Sequence, residues 1–328
     1  MSRRLTVRSE CWPLRTRFVI SRGSRTTARV LVVEIAEGDA VGRGECVPYA
    51  RYGESVESVT GRIRAVQPAI EAGADRAALA ELLPAGAARN AVDCALWDLE
   101  AKRAGAPVWK LAGLSSPEPL TTAYTLSLDV PGRMGEAARE LADRPLLKLK
   151  LAGDSLDLER VRAVREMAPG PQLILDANEA WTVDVYEKLT PHLQALEVAL
   201  IEQPFPAGGD AALASLPHPV PVCADESCHV TGDLAGLRGL YDVVNIKLDK
   251  TGGLSEALAL RAAAREAGFG VMVGCMVGTS LAMAPAFLLA QDADFTDLDG
   301  PLLLARDRVP GIRYEGSRML PPPPELWG

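Results

Sequence analysis

The sequence predicts an α/β protein, a closed barrel of parallel strands preceded by a smaller α+β unit. Three observations lead there. From residue 120 onward, short β-rich apolar runs alternate with longer amphipathic segments, with runs at 120–125, 146–150, 172–176, 198–202, 220–224, 242–247, 270–274 and 294–298. Seven of these runs end at or next to Lys150, Asp176, Glu202, Asp225, Lys247, Gly274 and Asp297, successive positions being 22 to 27 residues apart. That step accommodates about one strand, one helix and two short loops. The length of 328 residues suits a barrel plus a further unit of roughly 100 residues.

The elements follow in order. Residues 3–46 alternate in the β manner, with 29–35 the clearest strand and Gly42 to Gly44 expected as the turn into the next. The period then becomes helical at 55–70, 76–83 and 87–104, where Ala91, Cys94, Ala95, Leu96 and Leu99 form an apolar stripe. Gly105 is a natural helix terminator and Pro107 forbids simple continuation. Beyond residue 119 the middles of the runs are apolar on both faces, as buried parallel strands require. An open doubly wound sheet competes, but no G-x-G-x-x-G opens a first helix. Only the proline run 321–324 reads as disordered.

Composition narrows the function. Hydrophobic residues make up 48% and charged residues 24%, an ordinary globular balance. A net charge of −8 and a pI near 5.1 argue against nucleic-acid or anionic-membrane partners and favour a small molecule. No apolar stretch suits a secretory signal or a membrane span. The six cysteines (Cys11, Cys46, Cys94, Cys223, Cys228, Cys275) are scattered, without C-x-x-C pairs, so a reducing, cytoplasmic location is expected.

In a parallel barrel, functional groups collect at the C-terminal strand ends. Asp176, Glu202 and Asp225 end three consecutive runs. An aspartate before a helix is often only a cap, but three acids side by side repel one another unless a cation or protons relieve them. With no histidine or thiolate at equivalent positions, the site is a hard oxygen set suited to Mg²⁺, with Mn²⁺ as the alternative. His192, His218 and His229 read as surface or loop residues. Lys148 and Lys150 share a strand face. Lys247 ends the sixth run and Lys150 the second, which are opposite in a ring of eight. Two amines so opposed can take a proton from one face of a carbon and return it to the other, provided a cation stabilises the enolate. Asp297 and Asp299 read equally as a turn or as a receptor for an ammonium group. Lys250 reads as an ordinary surface lysine and Thr251-Gly252-Gly253 as a tight turn. The loops around Arg22–Arg25 and Tyr49–Gly53 could cover the mouth and bind a carboxylate.

Lys148-x-Lys150, Asp176-Ala-Asn-Glu179, Glu202-Gln-Pro204, Asp225-Glu-Ser227 and Asn245-Ile-Lys247 together resemble the muconate-lactonizing subgroup of the enolase superfamily. With Asp297-x-Asp299, residues 18–25 and residues 48–54 added, the chain closely resembles the bacterial L-Ala-D/L-Glu epimerases. The resemblance implies a modified TIM barrel, (β/α)₇β, spanning 116–300, and an N-terminal α+β capping domain at 1–115 completed by the tail 301–328. It implies Asp176, Glu202 and Asp225 as Mg²⁺ ligands and Lys150 and Lys247 as the acid/base pair. Lys148 would contact the substrate carboxylate, Asp297 and Asp299 the ammonium of a dipeptide, and Thr125, Cys275 and Arg25 would line the substrate. It implies an isomerase of cell-wall peptide recycling, with homo-oligomerisation left open. Many subgroup members carry an acid in the loop after the seventh strand, where this chain has Gly278. The rival readings are N-acylamino acid racemisation, o-succinylbenzoate synthesis or cycloisomerisation, a metal-free Schiff-base lyase, and a non-catalytic scaffold.

Overall fold

The computed structural model describes residues 3–328. The chain begins with an antiparallel sheet of β1 (Arg3–Ile20), β2 (Gly23–Glu37) and β3 (Ala40–Cys46), in that order. Three helices follow, α1 (Val56–Glu71), α2 (Arg76–Leu82) and α3 (Ala87–Ala104). Ser55 starts α1 through reciprocal bonds, the Ser58 N–H donating to its Oγ at 3.1 Å and its own N–H to Ser58 Oγ at 2.9 Å, which satisfies two orphan donors. Gly105 ends α3 at a left-handed φ of 61°, as its position predicts.

The expectation of a turn at Gly42–Gly44 fails, because both glycines lie inside β3. They are there for α3. A Cβ on Gly42 would stand 2.1 Å from the Ala95 carbonyl oxygen, and one on Gly44 would stand 2.1 Å from that of Ala91. The helix therefore rests directly on strand backbone, a distance only glycine permits.

A short helix α4 (Val108–Leu111) and two short strands, β4 (Leu120–Thr121) and β5 (Tyr124–Leu126), lead into the barrel. Its further strands are β6 (Leu146–Lys150), β7 (Gln172–Asp176), β8 (Val198–Glu202), β9 (Val222–Ala224), β10 (Val243–Ile246), β11 (Gly270–Gly274) and β12 (Phe295–Asp297). Strands β5 to β12 are parallel neighbours in sequence order. The ends meet where the Ala123 N–H donates to Thr296 O at 2.8 Å and the Leu298 N–H to Thr122 Oγ1 at 2.8 Å. One residue from each unit, Ala123, Leu146, Ile174, Leu200, Cys223, Val243, Met272 and Phe295, forms an apolar plug inside the ring, as barrel interiors require.

Helices α5 (Pro131–Arg139), α6 (Asp157–Met167) and α7 (Val183–Ala195) cover the first crossovers. The next two are thinner: only a 3-10 turn, Ala211–Ser215, joins β8 to β9, and a second 3-10 turn with the one-turn α8 (Leu234–Leu237) precedes β10. Pro206, Gly208, Gly209, Pro217, Pro219 and Pro221 crowd the first of these connections and forbid a long helix. Helices α9 (Leu248–Thr251), α10 (Leu254–Glu266), α11 (Ser280–Leu289) and α12 (Gly300–Leu303) complete the barrel side. The expected strand at 120–125 divides, because β4 pairs with β14 (Arg318–Met319), which pairs with β13 (Tyr314–Glu315) in a separate sheet. The proline run 321–324 is not disordered. It delivers Leu326 and Trp327 to a buried site, where Trp327 Nε1 donates to Cys94 O at 3.0 Å and the Gly328 N–H to Asp98 Oδ1 at 2.7 Å.

The seam between the N-terminal unit and the barrel carries a buried acid. Asp249 Oδ1 accepts from the Val47 N–H at 3.0 Å and from Asn90 Nδ2 at 2.8 Å. Burial, with Glu54 and Glu45 adding repulsion, pushes its carboxyl up to about 7.

Two outcomes are expected. Gly44→Ala forces α3 off the sheet and lowers the unfolding free energy by about 3 kcal/mol, measured by urea denaturation. Because the Asp249 proton is retained in the folded state after the unfolded chain has released it, its contribution is full below about pH 4 and is lost as pH rises to about 7. The stability difference between Asp249→Asn and wild type therefore moves in favour of the variant by about 1.4 kcal/mol per pH unit across that window. A flat difference would contradict the buried proton.

Candidate active site

Alternation along each strand decides what faces the barrel interior. Leu146 is in the plug, so Lys148 and Lys150, two and four residues on, face inward above it. The same alternation carries Ile174 to Asp176, Leu200 to Glu202, Cys223 to Asp225, Val243 to Asn245 and Lys247, and Phe295 to Asp297. Register sets them side by side: Lys150 pairs with Asp176 and Asp176 with Glu202 across three neighbouring strands. Lys150 and Lys247 are carried by β6 and the end of β10, four strands apart in the eight-stranded sheet.

The charges interlock. Lys150 Nζ meets Asp176 Oδ2 at 2.5 Å. Lys148 Nζ lies 2.6 Å from Glu202 Oε2, 2.7 Å from Asp297 Oδ2 and 3.3 Å from Asp176 Oδ2. Lys247 Nζ meets Asp225 Oδ2 at 2.5 Å, with Glu202 Oε1 at 3.8 Å, and Asn245 Nδ2 donates to the same Glu202 oxygen at 2.7 Å. Burial works against the charged form of Lys148 and Lys247, yet the facing carboxylates outweigh it and hold both ammoniums above the usual lysine range. Burial likewise opposes ionised Asp176 and Asp225, and the lysines overcome it and keep both well below the usual carboxylate range. Glu202 is pushed up, by burial first and Asp176 second.

Each of the three acids thus faces an ammonium, and among the described residues no group of three or more His, Cys, Asp or Glu side chains is gathered to hold a metal ion. The donor set nevertheless fits a hard dication. Asp176, Glu202 and Asp225 offer only oxygen, on consecutive strands, and Glu202 Oε2, although close to Lys148, receives no properly directed hydrogen bond. Binding one ion requires these carboxylates to exchange their lysine partners for it.

Above the charge layer lies a cleft of about 590 Å³, counted out to its open mouth, and Thr125, Cys275, Asp297, Asp299 and Arg25 all line it. Asp297 and Asp299 stand in different settings. The strand stops at Asp297, which faces Lys148, whereas Asp299 begins α12 and accepts the Thr125 N–H through Oδ2 at 2.6 Å. Burial and the nearby Asp297 push Asp299 up to about 7. At Gly278 an added Cβ would stand 3.0 Å from Glu45 Oε1. Glu45 comes from β3 and accepts the Thr279 N–H at 2.7 Å, so the carboxylate at this loop is supplied by the N-terminal unit.

Lys250 is not the surface lysine expected. It is 1% exposed, and its Nζ donates to Asp225 Oδ1 at 2.7 Å, Asp225 O at 2.5 Å and Asn245 O at 2.8 Å. Its clue was position, three residues after Lys247 at a strand-to-helix corner, where a side chain turns back beneath the strand end. Gln203 was also missed: its Oε1 accepts the Asp225 N–H at 2.8 Å and the Ser227 N–H at 3.1 Å, tying the β8 loop to the β9 loop. Thr251-Gly252-Gly253 is a tight turn as expected, with φ of 82° and 115° at the glycines. His192 is exposed, His218 pairs with Asp242, and His229 packs edge-on against Tyr52.

Residues 2–113 match the mandelate racemase/muconate lactonizing enzyme N-terminal domain, and residues 133–316 match the enolase C-terminal domain-like family. The chain belongs to the enolase superfamily, in its mandelate racemase/muconate lactonizing branch. It is 49% identical over 314 residues to the L-Ala-D/L-Glu epimerase of Escherichia coli (strain K12), covering 95% of this chain and 98% of that one. It is 47% identical over 301 residues to the N-acetyl-D-glutamate racemase of a Pseudoalteromonas species, covering 91% and 95%. Among solved structures, an enolase family member from Agrobacterium tumefaciens with homology to dipeptide epimerases, holding sodium and L-Ala-L-Glu, superposes with a TM-score of 0.97 at 54% identity, covering 99% of this chain and all 100% of that one. A dipeptide epimerase from Methylococcus capsulatus, complexed with Mg and L-Arg-D-Lys, superposes at 0.88 and 31% identity, covering 100% and 99%. The fold is thus the superfamily's TIM barrel with its N-terminal cap.

Lys250→Met leaves Asp225 Oδ1 and two carbonyls buried without their donor. Urea denaturation is expected to show a loss of about 3–5 kcal/mol, and an unchanged midpoint would mean that Lys250 does not compensate Asp225.

Proposed function

We propose that this protein is a Mg²⁺-dependent dipeptide epimerase that inverts the α-carbon of the C-terminal residue, interconverting L-Ala-L-Glu and L-Ala-D-Glu. The observation that carries the reading is the pair Lys150 and Lys247 on opposed strands of one closed ring, with three carboxylates between them. The similarity to epimerases over nearly the full chain supports it.

Asp176, Glu202 and Asp225 would hold the Mg²⁺, with Mn²⁺ a substitute of similar chemistry. Bound there, the ion supplies the positive charge that makes a proton next to a carboxylate removable. Lys148, already clamped by Glu202 and Asp297, stays charged and would orient the substrate carboxylate. One of Lys150 and Lys247, as a neutral amine, takes the α-proton onto its Nζ. The other, as an ammonium, delivers its own proton to the opposite face of the planar carbon, and the configuration inverts. Arg25 lines the cleft and would be the partner of a glutamyl carboxylate, and Asp299, bonded to the Thr125 N–H in the same cleft, would be the partner of the dipeptide ammonium.

A second reading, racemisation of N-acetylglutamate, is favoured by one observation. Asp297 already faces Lys148, so an uncharged acyl group meets less unpaired charge at that end than two free aspartates would present. The substrates of cell-wall peptide recycling fit the first reading. Among the described residues no helix is long and apolar enough to cross a membrane, and all six cysteines are free thiols, which supports a reducing, cytoplasmic setting. The functional division is a cap at 1–115, completed by 301–328, over a barrel at 116–300.

With Mg²⁺ in D₂O, L-Ala-L-Glu is expected to exchange its glutamyl α-proton and accumulate the D-epimer, followed by NMR. Lys150→Ala and Lys247→Ala should each slow conversion by at least about 10³-fold, and EDTA should stop it. Wild-type turnover by either variant overturns the two-lysine assignment. Faster racemisation of N-acetyl-L-glutamate than epimerisation of the dipeptide selects the second reading.

A further inference from the structure

Two loops of the cap end on a single barrel carboxylate. Glu179 stands on the loop after β7, three residues beyond Asp176, and both it and Asn178 adopt left-handed backbone, with φ of 66° and 46°. For residues with a Cβ this costs on the order of 1 kcal/mol each and persists only where surrounding contacts repay it. Those contacts are ionic. Arg51, from the loop after β3, donates to Glu179 through Nε at 2.7 Å and Nη2 at 2.6 Å, engaging both carboxylate oxygens. Arg22, from the turn between β1 and β2, donates Nη1 to the same carboxylate at 3.0 Å and to Asn178 O at 2.7 Å. The Ala207 N–H adds a bond to Glu179 Oε1 at 2.8 Å.

Isolated surface ion pairs contribute little, but this one differs. The Glu179 side chain is only 7% exposed, Arg51 binds it bidentately, and two guanidiniums share it, the geometry in which such pairs are strongest. Arg22 reaches further, donating Nη2 to Glu226 Oε1 at 2.6 Å and to the Tyr49 hydroxyl at 3.2 Å. The Tyr49 ring in turn lies 5.8 Å from the Arg25 guanidinium carbon. Glu179 itself does not line the cleft, whereas Arg22, Arg25 and Tyr49 do.

We propose that Glu179 is a positioning residue: by clasping Arg22 and Arg51 it fixes both cap loops over the mouth and sets where Arg25 meets an acidic substrate side chain. The last clause rests on the proposed epimerase reading, and the clasp itself does not. Glu179 makes no substrate contact in this arrangement, so its loss acts through the loops. Binding of the acidic side chain weakens, and the proton transfer beneath is left alone.

The test uses Glu179→Gln, which keeps the shape but turns an amide toward the donors. Arg51→Gln is the second variant, on an exposed cap loop where folding is not at stake. Each is compared with wild type in steady-state kinetics on L-Ala-L-Glu and L-Ala-L-Met, in urea denaturation, and in native trypsin digestion read by mass spectrometry at Arg22 and Arg25. Both variants are expected to raise KM for L-Ala-L-Glu about tenfold with kcat within about twofold and KM for L-Ala-L-Met nearly unchanged, since lost uniform binding appears in KM. Cleavage at Arg22 or Arg25 should be about threefold or more faster at an unchanged urea midpoint, since native proteolysis follows local opening. Equal KM increases for the two dipeptides, a fall confined to kcat, or wild-type cleavage rates overturn the proposal. If wild type turns over neither dipeptide, the epimerase reading fails, while the cleavage rates still decide whether Glu179 holds the loops.

Discussion

Compensation of buried charge inside a closed ring is the constraint on which the rest of this structure depends. Lys148, Asp176 and Glu202 are each at most 1% exposed, and an isolated ion so buried would cost several kcal/mol. None is isolated, because the ring brings lysines from β6 and the end of β10 against acids from β7, β8, β9 and β12. An open sheet would leave the first and last strands apart and deprive Lys148 of Asp297. Closure, through the bonds of Ala123 and Leu298, is therefore an electrostatic requirement as well as a geometric one.

The same constraint poises the site for chemistry. Lys148 and Lys247 are held as ammoniums by the very carboxylates that suit a metal ion, so cation binding and lysine basicity are linked. Whatever engages Asp225 and Glu202 withdraws the charge that holds Lys247 protonated. Lys250 and Gln203 stand outside that exchange. They bind the far side of Asp225 and its backbone and hold both in place.

The cap is joined to this ring by close approach rather than by a flexible hinge. Helix α3 lies on Gly42 and Gly44 of its own sheet and on Gly252 and Gly253 of the barrel, where added Cβ atoms would strike Arg89 and Asp93. The docked end of the chain at Trp327 seals the same helix. With the body of the cap so fixed, its two mouth loops are tied to the barrel in turn, by Arg22 and Arg51 at Glu179.

Much of this was legible in the residues alone. Barrel periodicity, the three helices of the cap and the inward row of charged strand ends follow from apolar spacing and alternation, which are local properties of the chain. So does the identity of the charged residues, since Lys150, Asp176, Glu202, Asp225 and Lys247 each terminate a run that can be read without neighbours. Contacts between distant segments were not legible. Gly42 and Gly44 looked like a turn because nothing nearby reveals a helix resting on them, and the proline run at 321–324 looked free because its dock is formed by α3. Lys250 looked solvated because its acceptors belong to β9 and β10, and the pairing of Asp297 with Lys148 could not be read because the two meet across the closure. Sequence fixes which groups are present and which face of an element they occupy; only tertiary structure decides which charges meet, because burial and pairing depend on residues far apart in the chain.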